Sequence, residues 1–87
     1  MSYVEVRVGD LVSVKGYMNL WDVPCHVSPS VVIENLDAME PVLVVEITRP
    51  RKNYTNSPLL EVKVLTTSGK IGWLALDKEK GDWVVHP

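Results

Sequence analysis

Leu60-Glu61-Val62-Lys63-Val64-Leu65-Thr66-Thr67-Ser68-Gly69-Lys70-Ile71-Gly72-Trp73-Leu74 is the stretch that decides the fold. Its first arm sets Leu60, Val62 and Val64 on one side and the charged Glu61 and Lys63 on the other, the period-two pattern of a strand with one buried face. Thr67-Ser68-Gly69 supplies a short turn, with the glycine where a positive φ angle is required. Lys70 to Ala75 then returns as the second arm. The spacing predicts a β-hairpin.

The flanking sequence extends this pattern. Val42-Leu43-Val44-Val45-Glu46-Ile47 is an apolar run of the kind a central strand carries. Val4, Val6 and Val8 alternate with Glu5 and Arg7, and Val12 and Val14 resume the same parity after Gly9-Asp10. That interruption predicts one strand bent at the glycine. Asp82 to His86 reads as a last short strand, after a charged single turn from Leu76 to Gly81. Between Gly16 and Pro41 the alternation dissolves, and Pro24, Pro29 and Pro41 oppose regular pairing. This stretch is expected to be one long ordered loop, with a short strand at Val31 to Ile33 and a turn at Asn35 to Met39. Thr48 to Pro58 reads as a polar, basic loop.

The predicted fold class is therefore all-β, a small five-stranded, partly open barrel with a long first loop, forming one domain over residues 1–87. Composition agrees. The chain has 87 residues, 46% of them hydrophobic and many of these valine, whose branched β-carbon suits a pleated strand. Phe is absent, so three Trp and three Tyr carry the aromatic bulk. An OB-type barrel is the rival architecture; it calls for longer strands and a helix between the third and fourth.

Three segments carry a resemblance. Val8-Gly9-Asp10-Leu11-Val12 resembles the opening of SH3-like and KOW-type barrels. Val64 to Leu74 looks like the hairpin of small SH3-like barrel proteins of tailed bacteriophages, cyanophages especially, and Val42 to Ile47 is similar to their middle strand. The likeness covers the first strand and the second half of the chain, not Tyr17 to Glu40. It implies an SH3-like barrel and carries no catalytic residue across.

The chemistry-bearing residues point away from catalysis. Cys25 and His26 are adjacent, so in an extended segment their side chains diverge. Asp22, Cys25, His26 and His86 lack metal-ligand spacing. Asp77 with Glu79, and Glu34 with Asp37, read as solvated loop charges. No catalytic residue, metal or cofactor is expected. The candidate binding surface is instead aromatic: Tyr17 and Trp21 in the first loop and Tyr54 in the second, on one face of the barrel, with Trp21 alternatively capping the core. Trp73 and Trp83 are expected to pack inside. Arg49, Arg51 and Lys52 beside Tyr54 form the basic cluster, which could contact phosphates while the ring stacks on a base.

These features predict a protein partner or self-association, with RNA or single-stranded nucleic acid as the alternative. The formal charge of −2 argues against a strong pull toward nucleic acid or an anionic membrane. One cysteine cannot form an internal disulfide, and the opening residues lack a signal-peptide pattern. The expected location is cytoplasmic, the host cytoplasm for a phage protein, and a virion component is compatible with the same reading.

Overall fold

The computed structural model describes residues 6–24, 29–48, 59–77 and 83–86. Seven strands occur there: β1 (Leu11–Val14), β2 (Met18–Trp21), β3 (Val32–Leu36), β4 (Pro41–Thr48), β5 (Leu59–Leu65), β6 (Ile71–Asp77) and β7 (Trp83–His86). They form one antiparallel sheet in the order β3-β2-β6-β5-β4-β1-β7. No helix occurs among the described residues, so none there is long and apolar enough to cross a membrane.

The all-β reading is thus observed, and the strand count is corrected from five to seven. The two additional strands, β2 and β3, fall inside the stretch expected to be a long loop. Val32–Leu36 is a strand where a turn was expected from Asn35, and the turn follows it at Ala38 and Met39. The pairing of β2 with β3 carries a bulge at Ile33, between the pairs Leu20↔Glu34 and Trp21↔Val32. The bulge breaks the alternation that would have marked a strand.

Chain connectivity makes the sheet curl. β1 and β2 lie four strand spacings apart in the sheet order, which in a flat sheet is about 19 Å. Only Lys15, Gly16 and Tyr17 join them, and the steps from Val14 to Met18 reach about 14 Å at full extension. The far ends of the sheet must therefore bend toward each other. The bond from the Met39 N–H to the Val14 carbonyl, at 2.7 Å, fastens the β3–β4 turn to the end of β1. It holds Met39 at φ 65°, a left-handed conformation that a side chain rarely adopts. Among the described residues, β3 and β7 are the two edges of the sheet.

Curling gives the concave side one interior. Every strand contributes to it: Val12 and Val14, Leu20, Leu36, Val42 and Val44, Leu60, Val62 and Val64, Leu74 and Leu76, and Trp83 are all buried in one cluster, which Val6 joins from ahead of β1. The hairpin decides much of this, with Val62 opposite Leu74 and Leu60 opposite Leu76. Its turn is as expected, Gly69 standing at φ 87°. Thr66 accepts the Gly69 N–H on its carbonyl at 3.0 Å and the Lys70 N–H on its hydroxyl at 3.0 Å. Gly9 also has a positive φ, 94°, and the turn it makes changes the parity: Val6 is buried while Val8 is exposed.

Trp83 is a core residue as expected. Trp73 is buried as expected, at 9% exposure, though it stands outside the main core cluster. Its neighbours Gly72 and Leu74 face inward, so alternation turns Trp73 to the convex side.

Candidate functional site

The strand registers align the convex face into two adjacent rows. The first runs Val32–Trp21–Trp73–Lys63–Glu46 across β3, β2, β6, β5 and β4. The second runs Ile71–Leu65–Leu43–Leu11–His86 across β6, β5, β4, β1 and β7. Residues directly opposite on neighbouring strands lie close enough to act as one surface.

In the first row, Trp21 and Trp73 face each other across β2 and β6. The Lys63 ammonium lies 6.0 Å from the Trp73 ring centroid, a distance at which the cation is drawn to the face of the ring. Glu46 stands opposite Lys63 in the next strand. The row is a strip in which Lys63 covers the buried Trp73 ring, with Trp21 left half-buried.

The second row is different in kind. Leu11, Leu43 and Ile71 are 42%, 37% and 52% exposed, and Leu65 between them is half-buried. Val45, the extra residue of a bulge in β4 between Val44 and Glu46, and Val8 ahead of β1 add further exposed apolar surface. A contiguous patch of this make-up is the kind that marks interaction surfaces on small proteins.

Where this row meets β7, the Ser13 hydroxyl and His86 Nε2 share a hydrogen bond of 2.7 Å. The sequence offered no nucleophile–base pair; the sheet brings one together from positions 73 residues apart. Ser13 is fully buried, so the pair fastens β7 to β1 and presents no hydroxyl to a substrate.

Comparison with family models, with curated proteins and with solved structures returns no match. The site is therefore read from its own geometry.

Of the residues singled out in the sequence, Tyr17 is 83% exposed just ahead of β2, and Trp21 lies on the convex face at the far end of that strand. The alternative of Trp21 as a core cap is not what its place in the sheet gives, since Leu20 supplies the core residue there. Tyr54, Arg49, Arg51 and Lys52 lie outside the described residues, as do Cys25 and His26. Among the described residues no three His, Cys, Asp or Glu side chains gather into a metal-binding group. Sequence reasoning missed Leu11, Leu43, Leu65 and Ile71. Their signal was available: each is an apolar residue at the parity that its strand otherwise gives to the outside.

Proposed function

We propose that this chain is a small, non-enzymatic binding module with an SH3-like barrel, working through protein–protein contact or self-association at its convex face. The SH3-like reading is supported by the order β7-β1-β4-β5-β6, in which β1, β4, β5 and β6 run as an antiparallel meander, β7 returns to pair with β1, and the β2–β3 pair is an excursion from the first connection. The phage attribution rests on the hairpin motif from Val64 to Leu74. The observation that carries the binding reading is the exposed row Leu11–Leu43–Leu65–Ile71. It is apolar, crosses four strands, and lies on a sheet whose interior is already filled from the other side.

Leu43→Lys tests it. Its side chain faces solvent on a paired strand, so the substitution is expected to cost no more than about 0.5 kcal/mol in stability. Sedimentation velocity over a concentration series should show association of the wild type and at least about tenfold weaker association of the variant, as expected for a charge set into the centre of an apolar contact. A wild type that stays monomeric and draws no protein from an extract of its source contradicts the reading.

The nucleic-acid alternative rests on Arg49, Arg51, Lys52 and Tyr54. A titration with single-stranded RNA and DNA at ~50 mM salt separates the two, since phosphate contacts would make affinity fall steeply as salt rises.

A further inference from the structure

β3 is an edge strand, and alternate backbone N–H and C=O groups along an edge point away from the sheet. The two edges differ. β7 is four residues long, is followed by Pro87, and has its last residue fastened to β1 through Ser13. β3 is five residues long and is preceded by the exposed Val31, with Val32 also exposed at its start. Its inner side is firmly seated: Leu36 is in the core, and the Glu34 carboxylate accepts a hydrogen bond from the Ser68 hydroxyl at 3.0 Å. The Asp22 N–H and Oδ1 bond the Val31 carbonyl and N–H, at 3.0 and 2.8 Å, carrying the β2–β3 pairing past the end of the strand. The strand is therefore seated on its inner side, and nothing among the described residues pairs with its outer one.

The edge segment itself carries charge of one sign. Across β2, β3 and the turn that follows, positions 18–40, the sequence holds Asp22, Glu34, Asp37 and Glu40 and no Lys or Arg, whereas the whole chain carries nine basic and eleven acidic residues. Asp22 and Asp37 are exposed, and Glu34 and Glu40 are partly so. Two copies pairing β3 to β3 would set these carboxylates against their own images, which disfavours self-pairing here. An extended segment carrying Lys or Arg would meet Glu34 within β3 and Asp22 and Asp37 beyond its ends.

We propose that β3 is a docking edge for a basic, extended polypeptide segment of a partner, which adds to the sheet as an eighth strand. Backbone pairing supplies the affinity, and Asp22, Glu34 and Asp37 select for positive side chains. β3 contributes no residue to the row of Leu11, Leu43, Leu65 and Ile71, so the two surfaces can be tested apart.

The probe is a short alternating lysine–valine peptide titrated into the full chain and followed by amide chemical shifts. Saturable shifts centred on Val31 to Leu36 are expected. Affinity should drop about fivefold in the Glu34→Gln/Asp37→Asn double variant, the sum of two exposed ion pairs, and stay unchanged in Leu43→Lys. A peptide of the same sequence, N-methylated at alternate residues so that it keeps its charge but cannot pair, should not bind. The proposal is overturned if the N-methylated peptide or a glutamate–valine peptide binds equally well. It is also overturned if the shifts centre elsewhere, if Leu43→Lys abolishes them, or if millimolar peptide produces none.

Discussion

Gly72→Ala is expected to destabilise the protein by about 3 kcal/mol, at the upper end of the usual cost of overpacking a filled interior. A Cβ built on Gly72 would lie 2.5 Å from Leu20 Cγ and 2.7 Å from the Trp21 carbonyl oxygen. The first contact is with a fully buried side chain and the second with backbone, so neither can yield cheaply. Intrinsic preference runs the other way, since alanine in a strand interior is favoured over glycine by roughly 0.5–1 kcal/mol. The sign of the measured change therefore decides between local preference and packing. In a urea titration the midpoint should fall markedly, with β2 and β3 lifted from β6. An unchanged or raised midpoint would mean that β2 does not cross β6 at Gly72.

Trp83→Ala is expected to cost about 3–5 kcal/mol, the range for truncating a large aromatic in a core. Trp83 is buried within the cluster and pairs with Val14, where β1 gives way to the short connection that bends the sheet. A domain of this size commonly has only about 5–15 kcal/mol of stability in all, so the variant should melt far below the wild type or fail to fold. A thermal melt within a few degrees of the wild type would remove Trp83, and β7 with it, from the interior.

Both substitutions fall where local pattern and tertiary structure had to be combined. The hairpin from Leu60 to Leu74 was legible because alternation and turn chemistry agree there, and Gly69 takes the conformation its position predicts. The strand from Pro41 to Thr48 was legible from its apolar run, although that run hid the two-sidedness that puts Val42 and Val44 inward and Leu43 outward. β2 was not legible, because Met18-Asn19-Leu20-Trp21 offers one fully buried residue and its neighbour β3 loses parity at a bulge. Val8 was misplaced because the turn at Gly9 shifts the faces between Val6 and Leu11. The burial of Trp73 was legible from its size, but the side of the sheet on which it packs was not. On this sheet a large aromatic is buried on the convex side, against Trp21 and under Lys63.

The site followed the same division. Tyr17 and Trp21 were identified by residue type and do lie at the surface or partly so. The apolar row was not identified, because Leu11, Leu43, Leu65 and Ile71 become neighbours only through three separate strand registers. Nothing in a linear pattern distinguishes an outward leucine that joins a patch from one that stands alone.

A three-residue link between distant strands curls one sheet around a single interior and seats β2 on β6. Cross-strand backbone proton contacts measured by nuclear magnetic resonance test this arrangement. Contacts are expected joining Trp21 to Trp73, Leu43 to Leu65 and Leu11 to His86 in the same folded species. A folded chain showing the second and third contacts but none between Trp21 and Trp73 would contradict it.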